Sequence, residues 1–244
     1  GDQVNPTVTA YDGGFLVGWR DAKNGDLRLQ KFNDDGTTNG TEQVVSNQAS
    51  VRDLQMTTLP DGRVVITWSA ENGDASNERN GERDVYLSLV DPTQTPLTIS
   101  ATSVVEDQVE IFGTTNVSGA TVSPLGDGGF VVVFVDAFGA GGDADDVWAR
   151  EYNADGTPRA DAFQLNTIEE DEQLAAVSAP LQDGGFVAAW QGDGASGITD
   201  VYARIYDGPA GQGADPIANA SIDEETGQLV ITTRDGGAKQ VITF

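Results

Sequence analysis

An eight-residue phrase recurs five times along the chain, and any fold must accommodate it. It reads DGGFLVGW from Asp12 to Trp19, DGRVVITW from Asp61 to Trp68, DGGFVVVF from Asp127 to Phe134 and DGGFVAAW from Asp183 to Trp190. A worn copy, TGQLVITT, runs from Thr226 to Thr233. Each copy is a two-residue turn followed by a run that alternates Phe, Val, Leu or Ile with smaller residues. Glycine supplies the positive φ of a tight hairpin turn, and the β-branched run favours a strand. The copies start 49, 66, 56 and 43 residues apart, a spacing that belongs to repeat architectures.

The flanks of each copy complete a four-strand unit. Before the turn lies a strand of small and β-branched residues: Pro6 to Tyr11, Leu54 to Leu59, Ala120 to Leu125, Ala175 to Leu181 and Ala218 to Asp223. After it, across a polar loop of variable length, come DLRLQKF from Asp26, DVYLSLV from Asp84, DVWAREY from Asp146 and DVYARIY from Asp200. A short fourth strand follows: EQVVSN from Glu42, PLTIS from Pro96, FQLNT from Phe163 and DPIAN from Asp215. Four antiparallel strands in roughly 45–50 residues are the pattern of a propeller blade. The sequence therefore predicts an all-β fold, a five-bladed β-propeller of four-stranded antiparallel blades, with units over 6–47, 50–100, 118–167, 174–219 and 220–244.

The ends of the chain add a prediction. The last unit stops at AKQVITF, Ala238 to Phe244, which leaves it without a fourth strand, while Gly1-Asp-Gln-Val-Asn5 resembles FQLN and EQVVSN. The N-terminal strand is expected to pair with Ala238 to Phe244 and close the ring, removing two open edges. A β-sandwich of the same hairpins is the alternative, and it gives no reason for five aligned copies. Residues Ala101 to Gly119 fit no strand of the template and read as an insertion, with the apolar patch Val109-Glu-Ile-Phe112 as an extra strand or flap.

Charge and missing residue types narrow the chemistry. With 39 acidic and 13 basic residues the formal charge is −26, so nucleic acid and anionic membrane surfaces are poor partners and cations natural ones. Cys and His are both absent. That removes disulfides, thiolate metal sites and the usual triad base. No apolar run approaches the ~18 residues of a membrane span, so no membrane insertion is expected.

The stretch DGGFVVVF…DVWAREYNADGTPRADAFQLNT, within Ser118 to Thr167, and its echo in Ala175 to Tyr206 resemble repeats of very large secreted bacterial proteins. These belong to the RTX, haemolysin-type calcium-binding group, adhesin-like members included. The resemblance implies a β-repeat module of a longer secreted protein, placed outside the cell or on its surface. The calcium nonapeptides that name the group are not present as an array; Gly139-Ala-Gly-Gly-Asp-Ala-Asp145 is a single imperfect echo.

In such a ring the uniform Asp-Gly turns share one face and the long unequal loops share the other, and the variable face is where a ligand is expected. Its loops hold Asp74, Glu78, Glu82 and Asp84, then Asp136, Asp143, Asp145 and Asp146, then Asp193 and Asp200. Carboxylates on glycine-permitted bends suit Ca²⁺, which takes six to eight oxygens. Asp136, Asp143, Asp145, Asp146, Asp193 and Asp200 are the candidate ligands, against the plainer reading of solvated loop acids. The Asp that opens the third strand in four units reads as a structural latch. Trp19 and Trp190 are candidates, with Asp74 and Glu82, for contact with a ligand, although inter-blade packing is the commoner use of such aromatics.

Three functions remain open. The leading one is a non-catalytic extracellular binding or adhesion module whose loop face takes a glycan, a peptide or a protein, stabilised by Ca²⁺. The second is a carboxylate-dependent carbohydrate-active enzyme. For it the sequence offers Asp53 and Asp223 near the ends of first strands and Glu169 to Glu172 between blades, but no recognisable pair. The third is an architectural spacer or assembly subunit.

Overall fold

The repeated turn does what its glycine requires: Gly13, Gly62, Gly128 and Gly184 have φ of 94, 86, 91 and 96°. The computed structural model describes residues 1–48, 50–71, 83–105, 117–136, 145–166, 173–182, 184–193, 199–206, 218–222, 229–233 and 240–242. Among them there is no helix.

The first unit is a sheet of β1 (Gln3–Tyr11), β2 (Gly14–Asp21), β3 (Leu27–Asn33) and β4 (Gln43–Ser46), in that order. The second orders β5 (Arg52–Thr58), β6 (Val64–Glu71), β7 (Arg83–Asp91) and β8 (Thr98–Ile99), with β9 (Ser103–Val104) also against β7. The third orders β10 (Val117–Pro124), β11 (Phe130–Asp136), β12 (Asp146–Tyr152) and β13 (Phe163–Gln164). The fourth begins with β14 (Gln173–Pro180), β15 (Phe186–Asp193) and β16 (Thr199–Tyr206), then continues through β17 (Ala218–Ile222), β18 (Leu229–Thr233) and β19 (Gln240–Ile242). The pairs within each sheet are antiparallel, as the hairpin reading predicts.

The alternation in the repeat decides how the sheets stack. Leu16, Leu27 and Leu29 of the first unit pack on Val64, Ile66 and Trp68 of the second. Val65, Leu87 and Leu89 then pack on Phe130, Val132 and Phe134, and Val131, Val133 and Val147 on Phe186, Ala188 and Trp190. Each full burial of such a side chain is worth about 1.5–3 kcal/mol, so the interfaces between units form the core. The first strands β1, β5, β10 and β14 lie side by side in series. Hydroxyl contacts join them: Thr9 to Thr58 at 3.1 Å and Thr121 to Ser178 at 2.9 Å. Where β2 meets β5, a Cβ on Gly18 would stand 3.1 Å from the Leu29 side chain and 3.2 Å from that of Leu54. The arrangement is β-propeller-like.

Closure of the ring and a separate fifth blade are not seen among the described residues. Gln3 and Val4 pair with Asp21 and Arg20, so the N-terminal residues lengthen β1, and β19 pairs with β18 alone among the described residues. The last repeat also prolongs the fourth sheet, because β17 pairs with β16 on one edge and β18 on the other. The predicted fourth strand at 215–219 and first strand at 218–223 overlap, and a single segment satisfies both edges at once. Residues assigned to the insertion also join the sheets: Ser103 and Val104 pair with Leu87 and Tyr86, and Val117 to Gly119 begin β10. The Val109 to Phe112 patch lies outside the described residues.

Candidate functional site

A bulge recurs at the loop-face end of four first strands, always opposite the aromatic that ends the second strand. Asn5 and Pro6 stand against Trp19, Asp53 and Leu54 against Trp68, Gly119 and Ala120 against Phe134, and Ala175 and Ala176 against Trp190. The leading residue is left-handed each time, with φ of 54° at Asn5, 51° at Asp53, 63° at Gly119 and 53° at Ala175. That conformation costs a non-glycine residue about 1 kcal/mol or more. Asn and Asp tolerate it best; Ala175 has no such help, so the bulge is imposed by how the units meet. Bulges at sheet rims re-aim side chains.

Asp53 is the one carboxylate in this row. Its Oδ2 accepts the Ser69 hydroxyl at 2.6 Å and faces the Gly119 amide, in the next unit, at 3.5 Å. Ser69 is in turn held by Arg83, whose Nη2 donates to Ser69 Oγ at 3.0 Å, Ser69 O at 3.1 Å and Ser50 O at 2.7 Å. The Ser69 hydroxyl thus accepts from a guanidinium and donates to a carboxylate, which fixes the Asp53 rotamer. Arg83 is only 8% exposed. Burial pushes its guanidinium below the ordinary value and the Arg52 charge adds to this, while Asp53 and Glu71 oppose it and Arg20 adds a little more. Arg52 pairs with Ser69, and Glu71 with Arg83, in the sheet register.

The residues chosen from sequence are dispersed around this point. Asp136 and Asp146 are directly opposite each other on β11 and β12, at 1% and 3% exposure. Asn166 Nδ2 donates to Asp146 Oδ1 at 2.6 Å while its Oδ1 accepts the Val147 amide at 2.9 Å. Asp145 accepts the Gln173 amide through its backbone oxygen at 2.9 Å. Asp193 pairs with Thr199, and Asp200 with Gly192, near the ends of β15 and β16. Asp74, Glu82 and Asp143 lie outside the described residues. Among the described residues no three acids converge as a cation site.

The two tryptophans part company. Trp190 is 4% exposed, stacked on Tyr202 with centroids 6.3 Å apart, and belongs to the core between units. Trp19 is half-buried on the outer face of the first unit. There it walls an open cleft of about 470 Å³ with Val17, Phe32, Gln30 and Glu42. Asp53 was visible in the sequence as an acid near a strand end, but Ser69, Arg83, Arg52 and Arg20 were not associated with it. The usable signal was the aromatic closing the repeat, since the bulge always faces it.

No family model and no curated protein matches the chain. Solved structures do share its fold. An ulvan lyase, a polysaccharide lyase, matches over 98% of this chain and 69% of its own length, with a TM-score of 0.57 at 11% identity. The α-L-arabinanase of Penicillium chrysogenum matches over 99% and 81%, with 0.55 at 14% identity. A Hadza microbial sialidase matches over 95% of this chain, which spans 56% of the sialidase, with 0.53 at 14% identity. At these identities the likeness is one of fold, and it overturns the leading expectation from sequence. These three structures are carbohydrate-active enzymes by their own descriptions, which runs against the non-catalytic adhesion module expected from sequence.

Proposed function

We propose that the chain is a carboxylate-dependent carbohydrate-active enzyme with its site at the loop-face end of the first strands. The observation that carries this reading is Asp53, held on a left-handed bulge between Ser69 and the next unit. With His and Cys absent from the sequence, carboxylates are the most abundant groups left for proton transfer. Asp53 is fixed by donors on one oxygen, as a general base or a stabiliser of developing positive charge requires. Glu71, opposite Arg83 in the register, is the second carboxylate of the patch, and glycoside cleavage commonly uses two.

The five-bladed ring belongs to the same reading. In the second, third and fourth units the face bearing the closing aromatic is covered by the preceding unit. The corresponding face of the first unit, with Val17, Trp19 and Phe32, is the one the last repeat would cover on closure.

The test is cleavage of a panel of arabinan, xylan, polyuronates and sulfated polysaccharides, followed by new reducing ends. Asp53→Asn is expected to lower the rate by about 10²-fold or more with the melting temperature nearly unchanged. A wild type inert on every member, or a variant as fast as wild type, overturns the proposal.

A further inference from the structure

Among the described residues, three arginines of this acidic chain find carboxylates. Arg28 lies within 3.6 Å of Asp21, Asp26 and Glu42, and Arg63 lies 2.6 Å from Asp61. Arg159 meets Asp127 and, at 3.4 Å, Glu151. Arg20 and Arg52 are different: neither has a carboxylate within ion-pair distance among the described residues, although acids outnumber bases 39 to 13. The Nε of Arg20 is buried with no acceptor among the described residues.

These two arginines end up together for a topological reason. Gly18 of β2 packs against Leu54 and Met56 of β5. Arg20 lies two residues beyond Gly18 toward the end of β2, and Arg52, on the other side of the bulge from Leu54, opens β5 opposite Ser69, so both stand at the loop-face rim. Among the described residues Arg83 is held there too by serine oxygens and not by a carboxylate, and it feels the charges of both. Among the described residues, three guanidinium groups thus meet two carboxylates, Asp53 and Glu71, a local excess of positive charge on a chain of charge −26. Like charges kept together in excess of their counterions cost free energy that an anionic ligand would recover.

We propose that Arg20, Arg52 and Arg83 form a subsite for an anionic substituent of the glycan, a carboxylate or a sulfate ester, beside Asp53. The inference rests on the enzymatic reading for its place in the molecule and adds the class of sugar. Guanidinium forks match either oxyanion, and the rest of the acidic surface repels such chains. Recognition is therefore local to this rim.

The experiment measures binding, not turnover, by calorimetry with Asp53→Asn and with Asp53→Asn carrying Arg52→Gln or Arg20→Gln. The probes are oligogalacturonides, the same oligomers fully methyl-esterified, sulfated galactan oligomers and neutral arabinan oligomers. The expected result is binding of a charged probe that Arg52→Gln weakens about tenfold or more, with melting temperatures matching the parent because Arg52 is exposed. Preference for the free uronate over its ester identifies a carboxylate, and preference for the sulfated oligomer identifies a sulfate. Equal affinity for neutral and charged probes, no binding of any charged probe, or charged binding indifferent to both arginines overturns the subsite. Arginine-dependent binding without cleavage by wild type would keep the subsite and remove the enzyme. Asp53-dependent cleavage of neutral glycans, indifferent to both arginines, would do the reverse.

Discussion

Trp68 and Trp19 hold the same place in two copies of one repeat, at the end of the second strand and opposite the bulge, yet their surroundings differ completely. Trp68 is 0% exposed, donates its Nε1 to Gln48 Oε1 at 2.9 Å and stacks on Tyr86 with centroids 5.9 Å apart. Trp19 stands opposite Arg28, and its Nε1 has no partner among the described residues. It borders open space. What differs is the neighbour. The first unit lies over the face of the second, while nothing described lies over the equivalent face of the first. A repeat therefore specifies a surface, and position in the array decides whether that surface is core.

Substituting the two tryptophans is the strongest way to break this comparison. Trp68→Ala is expected to cost about 3–5 kcal/mol, as large-to-small changes in a filled core do. Trp19→Ala should cost less, since part of its ring borders the open cleft. Thermal and urea unfolding of both variants checks the ranking; equal losses would show that Trp19 is covered in solution and that the ring closes over it.

The next effect concerns what pins the first unit to the second. Lys31 is buried and its Nζ donates to Pro92 O at 3.0 Å, Gln94 O at 2.8 Å and Thr95 Oγ1 at 2.8 Å. Hydrogen bonds from a charged donor are worth about 1.5–3 kcal/mol, so Lys31→Met is expected to lower stability by roughly that amount. Urea unfolding of this variant unchanged from wild type would mean that the apolar contact alone holds the units together.

Calcium sharpens the contrast between the first unit and the third, where Asp136 and Asp146 oppose each other. The sequence expectation of a bound Ca²⁺ predicts that millimolar CaCl₂ raises the melting temperature beyond NaCl of matched ionic strength. Ligand binding at a hundredfold excess over Kd adds about 2.7 kcal/mol. Equal shifts would reduce the effect to screening.

The smallest effect lies on the turn face, where the units are alike. Asp35, Asp91 and Asp155 each accept the hydroxyl and the amide of the threonine two residues on: Thr37, Thr93 and Thr157. The threonine hydroxyl first, and then the amide, hold each carboxyl below the usual range. A depressed folded pKa stabilises the protein above the ordinary aspartate value near 4, and that contribution is lost as pH falls below it. Thr37→Ala and Thr157→Ala should therefore flatten the loss of stability between about pH 4 and pH 2. A slope identical to wild type would assign the acid sensitivity elsewhere.

The repeat phrase by itself determined most of the fold. Asp-Gly turns, alternating β-branched runs and an aromatic at a fixed place specify hairpins and an in–out pattern, and these are local properties of eight residues. The sequence offered Asp146 both as a structural latch and as a calcium ligand, and its observed partner, Asn166, lies 20 residues away. The sequence could not place the site. Asp53 matters through Ser69, Arg83 and Gly119, which lie 16, 30 and 66 residues away and meet it only once sheets twist and stack. The bulge that aims it has no signature of its own, since Asn5, Asp53, Gly119 and Ala175 share a conformation and no chemistry. Whether a given face of a unit becomes interior or cleft was equally undecided along the chain. That depends on the neighbour in space, and only tertiary structure supplies one.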